Sequence, residues 1–277
     1  MADEERLIMG DEITSKKNLS VRKQLQDWFS GEHGTLLLEE ERKKLAQKLY
    51  ALFGYHILQI GNIGSTDFLD DSKISHKLIA RLVPGELVGQ RSGFCCDCSN
   101  LPVASDSIDV VVLPHVLEFE ANPHQVLRES ERVLIGEGHV VILGFNPWSF
   151  WGLWRLLLAW REKPPWHGHY IGLTRIKDWL KLLDFEVIKI ERFYFRPPMR
   201  SLKLLKKLEF IEKLGRFCWP WFGGIYLLVA KKRVVPLTPI KLQWRARRQM
   251  IATGVAGTTS GMVPPENQQA RDKPTGN

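Results

Sequence analysis

Asp97 to Phe119 reads D-C-S-N-L-P-V-A-S-D-S-I-D-V-V-V-L-P-H-V-L-E-F, and Asn122 to Phe145 continues N-P-H-Q-V-L-R-E-S-E-R-V-L-I-G-E-G-H-V-V-I-L-G-F. The order is strand end, Leu-Pro turn, buried strand, loop, amphipathic helix, glycine turn, buried strand. Ile108 to Leu113 is almost wholly apolar and β-branched, as a parallel strand covered on both faces must be. Asn122-Pro123 opens the helix, with proline where no amide donor is needed. Val126, Leu127, Val133 and Leu134 supply its apolar face. Gly136 and Gly138 are expected to end it before a strand from His139 to Leu143.

The same grammar extends both ways. Ser20 is placed to cap a short helix carrying Leu25, Trp28 and Phe29. Glu39 to Phe53 reads as a second helix, with Leu45, Leu49 and Leu52 on one stripe and Gly54 as its stop. Strands are expected over Tyr55–Ile60, Lys77–Val83 and Gly93–Cys96. After Phe145, helices are expected from Trp151, from Thr174 to Leu183, and from Ser201 to Leu214. Phe185–Phe195 and Gly224–Lys231 read as the last two strands. Strands alternating with helices predict an α/β, doubly wound, mainly parallel sheet with helices on both faces.

Composition sets bounds on class. The chain has 277 residues, 44% hydrophobic and 25% charged, enough for one large domain with appendages. We expect a disordered start over 1–18, a domain over 19–233 and a basic tail over 234–277. Met1 to Lys17 lack the apolar core of a secretory signal. No run of about 18 apolar residues occurs. The expected location is therefore cytoplasmic, with peripheral contact at the inner membrane surface. A net charge of +8 favours anionic partners. Three of the four cysteines, Cys95, Cys96 and Cys98, crowd one strand end, which is no disulfide framework, and a second ligand cluster for a metal is missing.

The block from Asp97 to Phe145 resembles the cofactor domain of class I S-adenosylmethionine-dependent methyltransferases, in particular the type 11 methyltransferase family. The resemblance implies a Rossmann-like sheet with an antiparallel C-terminal edge and S-adenosyl-L-methionine as cofactor. It divides the domain into a cofactor half, 54–145, and a substrate half, 146–222. The family's acidic residue and Gly-x-Gly-x-Gly follow the first strand. Here Gln59 takes the acidic place, Gly61 matches, and Gly64 falls one residue late, with Ile63 and Ser65 at the later glycine positions. The family's ribose-binding carboxylate has no counterpart at its usual distance, and Glu86 is the nearest substitute.

By the same resemblance, Asp97, ahead of Leu101-Pro102, lies beside the adenine amine, and the Cys98 amide reaches a ring nitrogen. A turn-forming aspartate is the plain alternative. Asp109 matches a structural position. Leu113 and His115 end the strand that faces the transferring methyl group. His115 is either a general base or has a cofactor or packing role, and Glu118, next along the same loop, is a lesser candidate. His167 and His169 belong to a loop read as a lid or as ordinary surface. Trp151, Trp154, Leu158 and Arg161 follow helical spacing and fit core, an apolar substrate pocket or a membrane surface. The basic run from Lys231 through Arg248 suits an anionic lipid surface or nucleic acid, or is simply solvated. Two functions stay open: methyl transfer to an unidentified acceptor without a metal, and a catalytically inactive methyltransferase-like binding or scaffold module.

Overall fold

The computed structural model describes residues 20–63, 68–83, 92–158, 166, 168–196 and 219–234. The chain divides into two compact units, Met1–Val235 and Pro236–Asn277, and the described residues all lie in the first. The expected helix over 201–214, and with it Gly64, Glu86 and His167, falls outside the described residues.

A helix over 20–30 (α1) leads into α2 (Glu32–Leu49). Then follow β1 (His56–Ile60), β2 (His76–Arg81), β3 (Gly93–Cys95), β4 (Ile108–Pro114), α3 (Pro123–Val133) and β5 (Leu134–Phe145). The chain continues through α4 (Phe150–Leu158), α5 (Leu173–Leu182), β6 (Phe185–Phe193), a 3-10 turn (Pro220–Phe222) and β7 (Ile225–Lys232). The seven strands lie in the order β3-β2-β1-β4-β5-β7-β6. Neighbours from β3 to β5 are parallel. The last strand, β7, runs antiparallel to both β5 and β6, and it makes the antiparallel edge region with β6.

Period-two burial explains why both faces are covered. Along β4, Val110 and Val112 enter one apolar cluster while Val111 and Leu113 enter the other. The first cluster receives Leu25 and Phe29 of α1 and Leu37, Leu38, Leu45 and Leu49 of α2. The second receives Val126 and Leu127 of α3 and Ile176 and Leu180 of α5. This is the doubly wound layer arrangement expected from the sequence, with helices on both faces.

Four boundaries differ from the sequence reading, each for a local reason. Helix α2 begins at Glu32, earlier than Glu39, because Leu37 and Leu38 already pack under it. It stops at Leu49 rather than Phe53, and Leu52 packs beyond the helix. Helix α3 passes directly into β5 at Leu134, so Gly136 and Gly138 lie inside a twelve-residue strand instead of ending a helix. Gly138 permits that early pairing: a Cβ there would meet the Asp109 carbonyl oxygen at 3.1 Å. Helix α5 starts at Leu173 with Gly172 as N-cap and no side-chain cap, so Thr174 does not serve as one.

Asp109 is structural, as its family position implies. Its Oδ2 accepts from the backbone amides of Tyr55 and His56 at 2.9 and 2.8 Å, tying the start of β1 to β4. Gly54 must be glycine, since a Cβ there would lie 2.4 Å from the Asp109 Cβ.

Candidate active site

The carboxyl ends of β1 and β4 meet where the strand order reverses, the crevice at which open α/β sheets hold ligands. Gln59 and Gly61 stand at the end of β1, Leu113 and His115 at the end of β4, and Cys98 follows β3. Leu113 and Cys98 share one apolar cluster with Ile60 and Val116. Gly61 has φ +78°, and a Cβ on it would meet Val116 Cγ2 at 3.0 Å. The loop after β1 therefore crosses close over the loop after β4.

Gln59 is fully buried, and its Nε2 donates to the Gly61 carbonyl at 3.0 Å. Its Oε1 finds no hydrogen-bond partner among the described residues. A bare amide oxygen in the interior costs about 1–3 kcal/mol. A cationic donor placed beside it removes that cost, and the α-ammonium of the expected S-adenosylmethionine is such a donor. On this observation the residues fit the cofactor's amino-acid end.

Asp97 is exposed, and its Oδ1 accepts from the Ser99 amide at 2.9 Å. The turn-forming alternative is thus realised, yet a carboxylate retains lone pairs beyond that one bond. The Leu-Pro turn behind it is held by α3. Glu129 Oε2 accepts from the Leu101 amide at 3.0 Å. Arg132 donates to the carbonyls of Leu101 and Val103, each at 2.9 Å. The Arg132 hydrogen bonds hold the Glu129 carboxyl below its ordinary pKa despite partial burial. Burial pushes the Cys98 thiol up to about 11, with the Arg22 charge only partly opposing it.

His115 stands in a tighter setting than the sequence suggests. Its φ is +49°, its amide donates to the Leu143 carbonyl, and its side chain is sealed from solvent. Nδ1 lies 2.9 Å from Glu118 Oε2, and Nε2 lies 2.8 Å from Glu41 Oε1. Phe145 and Phe29 flank the ring at centroid distances of 4.2 and 5.7 Å. Burial alone lowers a histidine pKa, but the Glu41 and Glu118 carboxyl groups outweigh it and raise His115 to about 10. The two flanking carboxyl groups favour the imidazolium form, in which both N–H groups are donated to them. In this arrangement neither nitrogen is free to accept a proton from an acceptor molecule.

Glu118 extends the clasp. Its Oε1 accepts from the Phe145 amide, and its carbonyl accepts from the His169 amide at 2.8 Å. His169 itself is exposed, and among the described residues no group of three His, Cys, Asp or Glu is placed to hold a metal. Sequence reasoning missed Glu41. The available signal was its position: it falls between Leu37 and Leu45 on the buried stripe of α2, where a carboxyl group demands a partner.

At the family's ribose-binding place no carboxylate stands among the described residues, and Glu86 lies outside them. β2 ends at Arg81, whose Nε is buried and without a partner among the described residues.

Of the basic run, Lys231 and Lys232 at the end of β7 and Arg233 just after it are engaged, and Lys241 to Arg248 lie outside the described residues. Lys231 pairs with Glu137, Lys232 reaches Asp106 at 3.1 Å and Glu131 at 2.9 Å, and Arg233 reaches Glu186 at 2.8 Å. Among the described residues no helix is long and apolar enough to cross a membrane. The tryptophan-rich stretch divides between roles. Trp151 is core, against Phe145 and Tyr194, whereas Trp148 and Trp154 face out.

Comparison with known proteins agrees with this architecture. A methyltransferase-domain family model matches residues 69–142. "Uncharacterized protein YafS" of Escherichia coli K12 is 32% identical over 231 residues, spanning 83% of this chain and 90% of that protein. An S-adenosylmethionine-dependent methyltransferase of Archaeoglobus fulgidus superposes with TM-score 0.53 at 20% identity, covering 75% of this chain and 97% of its own. One from Thermotoga maritima gives 0.52 at 16% identity, covering 69% and 89%. At these identities the two structures speak to the fold.

Proposed function

We propose that this chain, a member of the class I S-adenosylmethionine-dependent methyltransferase family, transfers a methyl group to an acceptor molecule. The observation that carries the proposal is the fully buried Gln59 amide at the strand crossover, with Oε1 lacking a partner among the described residues, beside positive-φ Gly61. When bound, S-adenosylmethionine supplies a methyl group already activated by its sulfonium, so the protein's work is binding, orientation and exclusion of water.

Each residue then has a bounded role. Gln59 accepts from the cofactor ammonium, and Gly61 lets the loop pass close to it. Asp97 and the Cys98 amide recognise adenine, held in place through Glu129 and Arg132. Leu113 underlies the site as core. His115 is a positioning residue: its two donated hydrogen bonds fix α2 and the loop after β4 in relation to each other. A proton released by the acceptor must be taken by another group or by water. Arg81 or Glu86 would complete the ribose contact in place of the family carboxylate. Residues 146–222 shape the acceptor side.

A crystal soaked with S-adenosylhomocysteine tests this reading. The expected pose puts adenine beside Asp97 and the amino group within hydrogen-bonding distance of Gln59 Oε1. A pose elsewhere, or a crevice that admits no ligand, overturns it and favours the inactive binding module.

A further inference from the structure

The faces presented by α4 and the 3-10 turn are unlike the rest of the surface. Trp148 is 79% exposed, Leu156 78% and Trp221 69%, while Phe150, Leu153 and Trp219 also stand out in solvent. These side chains form one surface. The Phe150 and Phe222 rings lie 6.5 Å apart, and Asn146 Nδ2 donates to the Trp221 and Gly223 carbonyls at 2.8 and 2.9 Å. A groove of about 500 Å³ opens along it, between Trp148, Leu153, Leu156 and Phe222. An exposed apolar area of this extent marks an interaction site.

Its chemistry selects the partner. Neither 146–158 nor 219–224 contains a single Asp or Glu. Arginines sit at the aromatic faces: the Arg192 guanidinium lies 5.1 Å from the Trp221 ring and that of Arg155 lies 5.0 Å from the Tyr170 ring. The sequence joining β6 to the 3-10 turn, 194–218, carries seven Lys and Arg against two Glu. Tryptophan with leucine, edged by cations and free of carboxylates, is the composition that settles at the headgroup–acyl boundary of an anionic bilayer. A protein partner with an apolar face gives no reason for the one-sided charge.

We propose that this surface docks the protein on an anionic phospholipid bilayer, with Trp148, Leu153, Leu156 and Trp221 entering the interface. The geometry has a consequence. α4 follows the carboxyl end of β5, and the 3-10 turn precedes β7, whose Ile225 pairs with Phe145. Docking therefore turns the end of the sheet that carries the candidate active site toward the lipid.

The test is flotation of the full chain with phosphatidylglycerol–phosphatidylcholine vesicles and with pure phosphatidylcholine vesicles, at low and high salt. The double variant Trp148→Ser/Trp221→Ser and the variant Leu153→Ser/Leu156→Ser are run beside it, with melting curves to confirm folding. Expected are binding to the anionic vesicles that weakens with salt, and a loss of at least about tenfold in each variant, since each removes roughly 1.4 kcal/mol or more of apolar transfer. Brominated acyl chains should quench the native tryptophan fluorescence and quench the first variant less. Absence of flotation on either vesicle overturns the proposal. So does undiminished binding by two folded variants, which would assign the contact to basic residues alone. Sedimentation velocity supplies the last arm: a dimer that the variants dissociate, with no vesicle binding, gives the surface to a second copy. None of these outcomes alters S-adenosylhomocysteine binding, so the two proposals fail separately.

Discussion

Glu41 of α2 and His115 at the end of β4 are joined by a 2.8 Å contact between Oε1 and Nε2, with both side chains wholly buried. The bond fastens a helix of the N-terminal segment to the strand end at the centre of the sheet. Removing His115 leaves the Glu41 carboxyl buried without its histidine, and removing Glu41 leaves His115 Nε2 buried without an acceptor while Glu118 still holds Nδ1. We expect His115→Ala and Glu41→Ala to cost about 3–5 kcal/mol each, with Glu41→Gln costing less because its amide oxygen still accepts. Urea unfolding midpoints measure this, and a loss below about 1 kcal/mol for His115→Ala would contradict a paired buried charge.

The same contact fixes the sign of a pH dependence. His115 is raised from its ordinary 6.5 to about 10 by Glu41 and Glu118 acting against burial. Its contribution is fully present below the unfolded pKa and is lost as pH rises through the folded one. Melting temperature should therefore fall between about pH 6.5 and 10, and fall less in His115→Gln. Cys96 and Cys98 are raised by burial to about 12 and about 11 and act in the same direction above pH 9, so the histidine part is read between pH 6.5 and 9.

Glu129 and Arg132 hold the loop that carries Asp97 without belonging to the crevice. Glu129→Ala removes a charge-assisted acceptor from the Leu101 amide and should lower stability by about 1.5–3 kcal/mol. We also expect S-adenosylhomocysteine affinity to fall about tenfold, as ordering of the 97–103 turn shifts to the binding step. Calorimetric titration of the variant checks this, and unchanged affinity would separate the loop from the site.

Burial ranks the thiols. Cys95 is exposed, Cys96 half-buried and Cys98 buried. Of these three, iodoacetamide at neutral pH should label Cys95 first and leave Cys98 unlabelled in the folded chain, because thiolate and access are both needed. Peptide mass spectrometry after brief exposure reads the order.

The steric demand at Gly54 is equally direct. Gly54→Ala places a Cβ 2.4 Å from that of Asp109, whose carboxyl holds two amides of β1. Relief requires moving the strand, and we expect about 1–3 kcal/mol of destabilisation by thermal or urea unfolding.

How much of this was legible in the sequence follows from where the information lies. The β-branched run of β4 and the strand–helix alternation announce a covered parallel sheet, and the Asp97 to Phe145 block announces its family. Those are local patterns, and the structure carries them. The direct passage of α3 into β5 was not legible, because glycines that ordinarily stop a helix here sit inside a strand. The partners of His115 were hidden for another reason. Glu41 is 74 residues away in sequence, and only the packing of α2 brings the two together. Gln59 was readable as a departure from an acidic position, whereas an oxygen without a partner among the described residues is a property of the folded crevice. Trp151 and Trp148 show the limit of composition: neighbours in one tryptophan-rich stretch, one is core and the other is surface.

The central claim is that the crossover crevice, from Gln59 to Asp97, receives S-adenosylmethionine. Isothermal titration of the intact chain with S-adenosylhomocysteine tests it most directly, alongside Gln59→Ala and Asp97→Ala. The account predicts saturable one-to-one binding below millimolar concentration, weakened about tenfold or more by each substitution, the equivalent of ~1.4 kcal/mol. No heat of binding at millimolar ligand, or binding that both variants retain in full, would contradict it.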